Sequence, residues 1–331
     1  MESKHLLLAK SGHLRAQKGT ALMSHAGVLR SRLAPTPSGW IHVGNAYSFV
    51  LTALIVRSQN GELFLRIDDL DVERSRPEYI EDIFEQLRWL GLEWDGGPTS
   101  VLDLKTTFSQ NLKTQRYQLF LEDLKSKSQV FACDCSRALI LRRSGSHFYD
   151  GFCKNRGLVV DDEKLILRFR FAPKDQHQIQ DIFRGQVETV DPELTDFIVV
   201  RRSGDFSYQL ISVVDDLDSK VNFVVRGDDL LPSTIAQTAL ANAAGASEFA
   251  SIRFLHHGHI VDNSGAKLSK SKESVSLRHL RSLGLTRQDF YRVIARHFGL
   301  ENAHLIENFQ NLLEEAGERG LEIAMQERPW T

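Results

Sequence analysis

A loop near the start of the chain carries residue types suited to holding a phosphate group. Residues 32–45 read Arg-Leu-Ala-Pro-Thr-Pro-Ser-Gly-Trp-Ile-His-Val-Gly-Asn: an apolar strand end, a loop rich in proline and glycine, and the start of a helical run at Asn45. The N–H groups and the dipole of a helix N-terminus attract anions. His42 can donate hydrogen bonds to phosphate oxygens, and Gly44 leaves space for a flat ring against the backbone. We therefore predict an anion site here.

A second candidate follows Gly265, where residues 267–271 read Lys-Leu-Ser-Lys-Ser. Two lysines three positions apart, with two serines, supply positive charge and hydrogen-bond donors for phosphate. Taken singly, each stretch has a plain alternative, a capping histidine for the first and a solvated Lys/Ser loop for the second. Together and in this order they indicate nucleotide chemistry.

The two stretches resemble the two signature motifs of class I aminoacyl-tRNA synthetases, and the lead-in Arg-Leu-Ala-Pro-Thr-Pro-Ser-Gly narrows the resemblance to the glutamyl branch. This family activates an amino acid with ATP, and its proteins mainly position the reactants and stabilise charge on the phosphates. The resemblance implies catalytic roles for His42, Lys267 and Lys270, with ATP accompanied by Mg²⁺. The implied ATP-binding residues are His42, Gly44, Asn45, Lys267 and Lys270.

The resemblance also implies a site for L-glutamate, in which an arginine holds the side-chain carboxylate in bidentate fashion. Its implied residues are Arg32, Leu33, Ala34, Pro35, Thr36, Asp68, Tyr208 and Arg226. The family usually reads Arg-Ile-Glu-Asp where this chain has Arg66-Ile67-Asp68-Asp69, so the carboxylate expected to meet the substrate ammonium group is one methylene shorter. The plain alternatives are a core strand aromatic for Tyr208 and a surface arginine at a strand end for Arg226.

The three cysteines of the chain all lie between residues 133 and 153. An odd, clustered set argues against a secreted disulfide framework and favours an intracellular metal site. Cys133, Cys135, Tyr149 and Cys153 supply three thiolates and a phenol, and structural zinc prefers thiolate-rich four-coordinate sites. This set resembles the zinc site in the inserted module of glutamyl-queuosine tRNA(Asp) synthetases. The plain alternative is three reduced cysteines in a small core.

The order of the predicted elements indicates an α/β fold, in which a parallel sheet is interrupted by an inserted module and then resumed. The resemblance implies the Rossmann-like sheet of class I synthetases, an α+β zinc-containing inserted module and a short helical C-terminal region. We expect a disordered extension (1–29), a first Rossmann-like half (30–104), the inserted module (105–190), a second half (191–250), and a lysine-loop and helical region (251–331). The basic N-terminal stretch superficially resembles a transit peptide, and Met23 offers an alternative start.

Local patterns predict the individual elements. A capping box at Ser75 with Pro77 opens a helix that buries Ile80, Ile83, Phe84, Leu87 and Leu90 and ends at Gly91. Residues 165–171 alternate as a half-buried antiparallel strand, and residues 196–201 and 207–214 are interpreted as a hairpin. Ser233 is expected to cap a helix that ends at Gly245, and Thr286 to open a further capped helix with Phe290, Val293, Ile294 and His297 on one face.

Composition leaves the partners open. The chain has 331 residues and a net charge of −2, which neither supports nor excludes binding of nucleic acid. No run approaches the ~18 apolar residues that cross a membrane, so we expect a soluble, cytoplasmic monomer.

Within the resemblance, the cysteine set and the short stretch after the lysine loop favour a truncated paralogue of the glutamyl synthetases. It activates glutamate without tRNA and transfers it to queuosine in tRNA(Asp). The alternatives are a minimal enzyme that charges tRNA(Glu) and a non-catalytic RNA-binding paralogue.

Overall fold

The computed structural model describes residues 27–172, 179–182, 184–187, 194–258, 276–320 and 322. The predictions for residues 1–26 and for Lys267 and Lys270 lie outside these ranges. Within them the α-helices are α1 (Val43–Ser58), α2 (Pro77–Leu90), α3 (Val101–Asp103), α4 (Thr114–Ser126), α5 (Arg137–Ser144), α6 (Tyr208–Asp218), α7 (Leu231–Ala244), α8 (Ser247–Ala250), α9 (Leu277–Ser282), α10 (Arg287–His297) and α11 (Phe309–Ala316). The strands are β1 (Arg30–Leu33), β2 (Glu62–Leu65), β3 (Val130–Cys133), β4 (Ile166–Phe169), β5 (Ile179–Asp181), β6 (Gly185–Val187), β7 (Ile198–Val200), β8 (Phe223–Gly227) and β9 (Arg253–His257).

These elements belong to two compact units. The first contains the described residues of Met1–Ser109, Phe223–Asp228 and Phe254–Thr331, and the second contains those of Gln110–Asn222 and Asp229–Arg253. None of the described helices is long and apolar enough to cross a membrane.

The first unit is built on a parallel β–α–β arrangement. Strands β1 and β2 pair in parallel, with Arg30 opposite Glu62 and Leu33 opposite Leu65. Helix α1 connects them and is buried over most of its length, which explains its nearly continuous apolar sequence. Strand β8 packs against both β1 and α1. The predicted parallel-sheet core is therefore confirmed.

Helix α2 shows both a correct and a wrong prediction. The five predicted apolar residues of its inner face are buried, and Gly91 ends the helix in the left-handed conformation with φ of 72°. The capping box at Ser75 is wrong: the N-cap is Arg76, without a side-chain cap hydrogen bond. Pro77 occupies the first turn and has no N–H to satisfy, so a polar cap is less needed.

The second unit contains the antiparallel sheet β3–β4–β7, in which the predicted strand around residues 165–171 is β4. Strands β5 and β6 pair in antiparallel fashion, with Ile179 opposite Val187 and Asp181 opposite Gly185. The second half of the predicted 196–214 hairpin is wrong, because a single bridge between Val200 and Phe206 is followed directly by helix α6. Its buried Leu210, Ile211, Val213 and Val214 share one helical face, so packing overrides the strand propensity of valine and isoleucine.

Of the N-caps predicted for two helices further along the chain, one is wrong and one is confirmed. Helix α7 spans Leu231–Ala244 with Leu230 as its N-cap and the predicted Gly245 as its C-cap, so Ser233 is not its cap. Pro232, inside the first turn, sets the start before Ser233, and the Ser233 hydroxyl instead accepts a hydrogen bond from Gln209 at 3.2 Å. The capping box at Thr286 is confirmed, with Asp289 as its partner. Phe290, Ile294 and His297 are buried on the predicted face of α10, whereas Val293 is exposed.

Candidate functional site

His42 caps the helix at which the sequence predicts an anion site. Its Nδ1 accepts a hydrogen bond from the Asn45 N–H at 3.2 Å, and the Asn45 side-chain oxygen accepts one from the His42 N–H at 3.3 Å. A ring nitrogen that accepts a hydrogen bond carries no proton, so the neutral imidazole carries its proton on Nε2. The cap thus fixes both the orientation of the ring and the nitrogen with which it can donate.

Gly44 provides the space for this ring. A Cβ atom at Gly44 would lie 3.0 Å from both Cε1 and Nδ1 of His42. The sequence predicts a flat ring against the backbone at Gly44. Within the protein, the ring that lies there is the imidazole of His42.

The chain returns to His42 directly after the lysine loop. Ser276 forms an antiparallel bridge with His42, and the Leu277 N–H donates to the carbonyl of Ile41 at 2.8 Å. Ser276 is the fifth residue after Ser271, the last residue of the second motif. On the other side of the gap, β9 ends at His257, whose ring packs edge-on against Tyr47 of α1 at 5.2 Å.

A buried polar network holds the residues before His42. The Ile41 N–H donates to Oδ2 of Asp82 at 2.9 Å, and Gln86 donates to Oδ1 of the same carboxylate at 2.8 Å. Arg281 of α9 in turn donates to the Gln86 side chain at 2.8 Å. Burial raises the pKa of Asp82 despite these hydrogen bonds. This network could not be predicted from the sequence, because partners such as Ile41 and Asp82 lie 41 residues apart along the chain.

The same loop carries the predicted glutamate residues Arg32, Leu33, Ala34, Pro35 and Thr36. Arg32 and Leu33 are the buried end of β1, and Pro35 is buried in the loop that follows. The Asp68 N–H donates to the carbonyl of Pro35 at 3.0 Å, so the loop after β2 lies against the loop after β1. Thus Asp68 is brought to the same edge of the parallel pair, where α/β sheets bind ligands.

Asp68 is itself engaged by an arginine. Nε of Arg66 donates to Oδ1 of Asp68 at 2.7 Å, and both side chains are buried. The side chains of residues two apart in an extended chain point to the same side. The spacing of Arg66 and Asp68 could therefore have predicted this ion pair from the sequence. The shorter carboxylate that departs from the family pattern is therefore held by a fixed cation.

The remaining predicted residues fall in different places. Arg226 lies in β8 of the first unit, buried, with its guanidinium 5.1 Å from the Phe254 ring centre, so the interpretation as a surface arginine is wrong. Tyr208 belongs to the second unit and is half-buried as the first residue of α6, not a strand aromatic.

The three cysteines converge in the second unit. All three are buried, and their Sγ atoms lie within 4.8 Å of one another, with Cys135 and Cys153 at 3.5 Å. That distance is too long for a disulfide, whose S–S bond is about 2.05 Å. The Tyr149 hydroxyl accepts a hydrogen bond from the Cys153 N–H at 2.7 Å. The four residues are called the cysteine cluster below, and Phe131 and Ile140 pack against it.

The cysteine cluster fits a tetrahedral metal. Zn–S bonds of about 2.3 Å place two sulfur atoms on one zinc roughly 3.8 Å apart, which the separations within the cluster allow. The phenol oxygen of Tyr149, which accepts from the Cys153 N–H at 2.7 Å, lies beside these sulfurs. Three thiols could therefore hold zinc, with the phenol as the candidate fourth donor.

Arginines surround the cluster and were not recognised from the sequence. Burial alone raises the pKa of the Cys133 thiol, but Arg168, which donates to its sulfur at 3.3 Å, brings it below its usual value. Burial raises the pKa of the Cys135 thiol to about 12, against the opposing effect of Arg143. Burial also raises the pKa of the Tyr149 phenol. Arg168 is 35 residues from Cys133 along the chain, so no local sequence pattern could reveal that contact. Arg156, three residues after Cys153, is a local signal that could have been read from the sequence.

Comparison with known proteins agrees with this fold. Residues 28–316 match the family of class I tRNA synthetases (E and Q), catalytic domain. The chain belongs to this family. Its fold resembles the crystal structure of a glutamate–tRNA synthetase from Elizabethkingia anophelis with a TM-score of 0.71 and 21% identity, covering 87% of this chain and 65% of that one.

Curated relatives carry two different names. The chain is 32% identical over 266 residues to Glutamate--tRNA ligase 1 of Coxiella burnetii, covering 77% of this chain and 54% of the ligase. It is 35% identical over 274 residues to the Glutamyl-Q tRNA(Asp) synthetase of Nitratidesulfovibrio vulgaris, covering 78% of this chain and 82% of that protein. The chain therefore spans about half the length of the glutamate–tRNA ligase that it matches.

Proposed function

We propose that this protein activates glutamate with ATP in the absence of tRNA and transfers it to the queuosine base at the wobble position of tRNA(Asp). Membership of the class I (E and Q) family supports the first half of the reaction. The observation that carries the choice of acceptor is the cysteine cluster, the residue set by which the chain resembles glutamyl-queuosine synthetases. A relative named Glutamyl-Q tRNA(Asp) synthetase, 35% identical, adds support.

In the first step, a carboxylate oxygen of glutamate attacks the α-phosphate of ATP, and pyrophosphate leaves. We infer that His42, oriented by its cap with Asn45, donates from Nε2 to the triphosphate. Lys267 and Lys270 would neutralise the charge that builds on the leaving pyrophosphate. Mg²⁺ would enter with ATP, since Mg²⁺ is usually bound through substrate phosphates. The return of the chain to His42 at Ser276 supports joint action of the two motifs.

Recognition of glutamate needs a cation for the side-chain carboxylate and an anion for the ammonium group. Arg32 and Arg226 are both buried arginines, and their strands β1 and β8 pack together. Asp68, held by Arg66, supplies the anion. We infer that the buried position of these charges strengthens their interaction with the substrate, because the local dielectric is low.

In the second step, a hydroxyl of the queuosine ring attacks the carbonyl carbon of glutamyl-adenylate, its proton is lost to solvent, and AMP leaves. No covalent nucleophile from the protein is required, because the mixed anhydride is already activated. Zinc bound by the cysteine cluster would cross-link the segments that carry its four residues and contribute folding energy.

The test is transfer of labelled glutamate to three purified acceptors: queuosine-containing tRNA(Asp), unmodified tRNA(Asp) and tRNA(Glu). We expect label on the queuosine-containing tRNA alone, together with glutamate-dependent pyrophosphate exchange that needs no tRNA. Label on tRNA(Glu) would instead establish a minimal glutamyl-tRNA synthetase, the activity that the 32%-identical relative's name describes. Absence of both transfer and exchange would favour the non-catalytic RNA-binding paralogue.

A further inference from the structure

Each of the three sulfur atoms in the cysteine cluster faces its own arginine. Arg168 donates from Nε to Cys133 at 3.3 Å, and Arg156 donates from an Nη to Cys153 at 3.3 Å. Both Nη atoms of Arg143 lie 3.6–3.7 Å from the sulfur of Cys135. Three guanidinium groups therefore match three thiols one to one. A core of neutral thiols needs no cations, so this match requires a different explanation.

The arginines are anchored independently of the sulfurs. Arg143 pairs with both carboxylate oxygens of Asp150, and Arg156 donates to Asp134 at 2.8 Å. The exposed ring of Phe152 packs against both arginines, with its centre 4.0 Å from the guanidinium carbon of Arg143 and 5.1 Å from that of Arg156. These contacts hold both donors in place before any metal arrives.

Arg168 is anchored in the interior. It donates to the backbone carbonyl of Asp196 at 2.9 Å, and its guanidinium carbon lies 3.8 Å from the centre of the Tyr149 ring. Arg168 comes from β4, Arg143 from the end of α5, and Arg156 from the turn after Cys153. Because three arginines from three segments all reach the same cysteine cluster, a chance arrangement of surface ion pairs explains them poorly.

We propose that Arg143, Arg156 and Arg168 are positioning residues of a divalent-metal thiolate centre, each donating an N–H group to one metal-bound sulfur. A metal-bound thiolate keeps lone pairs that accept such hydrogen bonds, and hydrogen bonds to ionised groups are the stronger kind. The guanidinium charges offset repulsion among three thiolates held within 4.8 Å. Outer partners of metal ligands orient them and tune the metal. This inference rests on the proposed zinc site and not on the acceptor of glutamate.

The test uses the full chain loaded with Zn²⁺ or Co²⁺, without glutamate, ATP or tRNA. The variants are Arg143→Met, Arg156→Met and Arg168→Met. The matched control is Arg170→Met, because Arg170 stacks over Phe131 at 5.0 Å and donates to a backbone carbonyl rather than to a sulfur. Zinc affinity is measured by competition with a chromophoric chelator. In the cobalt-loaded protein, the wavelength of the sulfur-to-cobalt charge-transfer band reports the energy of the thiolate lone pairs.

We expect each of the three variants to bind zinc about tenfold more weakly than the wild type, and Arg170→Met to match the wild type. The charge-transfer band should move to longer wavelength in the three variants, because loss of an N–H···S bond raises the energy of the sulfur lone pairs. A purely structural arginine would leave the wavelength unchanged. Since Arg143 and Arg156 are partly exposed, their variants keep the test valid if Arg168→Met fails to fold.

Two results would overturn the proposal. One is a wild-type chain that binds neither Zn²⁺ nor Co²⁺ through its cysteines. The other is a set of three variants whose zinc affinity and charge-transfer wavelength equal those of Arg170→Met. Neither result depends on glutamate transfer, so the failure of the proposed activity would be seen separately.

Discussion

The imidazole ring of His42 lies directly over Gly44, so that a Cβ atom at residue 44 would come within 3.0 Å of two ring atoms. The ring is held there by the cap that it shares with Asn45. The absence of a Cβ atom at Gly44 thus allows the ring to occupy this position, from which His42 would contact ATP.

Gly44→Ala should push the imidazole a few tenths of an ångström from its place over the helix cap. The weakened cap and the better helix propensity of alanine oppose each other, so the free energy of unfolding should change by less than about 1 kcal/mol. ATP affinity and glutamate-dependent pyrophosphate exchange should fall, because the ring leaves its position. Thermal unfolding and titration with ATP measure the two effects. Gly39→Ala is the matched control, because nothing lies within 4 Å of a Cβ at that position in the same loop. Equal ATP affinity in the two variants would contradict the role of the ring.

Asp68→Asn should damage both stability and binding of glutamate. It removes the carboxylate to which the buried guanidinium of Arg66 donates at 2.7 Å, and removal of one partner from a buried pair costs about 3–5 kcal/mol. KM for glutamate should rise in pyrophosphate exchange, since the substrate ammonium group loses its anion. Asp68→Glu, which restores the usual family residue, should retain more activity.

The control for Asp68 lies a short way along the chain. Glu78→Gln removes a carboxylate that is 3.9 Å from Arg76, with both side chains exposed, and such a pair contributes about 0–1 kcal/mol. If Asp68→Asn behaved like Glu78→Gln in urea unfolding and in KM, the role assigned to Asp68 would be wrong.

His297 predicts a dependence of stability on pH. Burial, with a smaller effect from neighbouring His257, lowers the pKa of His297 from 6.5 to about 4. Between these values the unfolded chain binds a proton that the folded chain does not. The contribution of His297 is therefore fully present above pH 6.5 and is lost as the pH falls toward 4. Allowing for solvent screening, the loss should be about 2 kcal/mol.

Urea unfolding at a series of pH values tests this expectation. Tyr47 hydrogen-bonds to Nε2 of His297 at 3.2 Å, so His297→Gln keeps a polar partner while removing the titration. This variant should have a flatter profile between pH 6.5 and 4. The exposed His304→Gln is the control, and its profile should follow that of the wild type. Parallel profiles for wild type and His297→Gln would exclude the effect.

Lys270→Ala should reduce glutamate-dependent pyrophosphate exchange by about 10²–10³-fold, the effect of losing one preorganised group that stabilises transition-state charge. The thermal unfolding temperature should not change. Lys272→Ala removes the same charge two residues further on, outside the motif, and should retain exchange. Unchanged exchange in Lys270→Ala would disprove the assignment of the lysine loop.

The sequence by itself determined the features that depend on local physics. The parallel β1–α1–β2 unit, the helix end at Gly91 and the capping box at Thr286 follow from periodicity, a left-handed glycine and the short reach of a threonine side chain. The family was also readable, because its motifs are contiguous stretches of chain.

Only the tertiary structure decided the relationships between distant residues. Burial made a helix of residues 208–218, whose valines and isoleucine favour strands. Packing put Asp82 beneath the Ile41 N–H, and it aimed Arg143, Arg156 and Arg168 at three separate sulfurs. The partners of Asp82 and Arg168 are 41 and 35 residues away, so the fold of the whole unit brings them together. Arg143 and Arg156 are only eight and three residues from their cysteines, but the direction in which each side chain points depends on the folded segment.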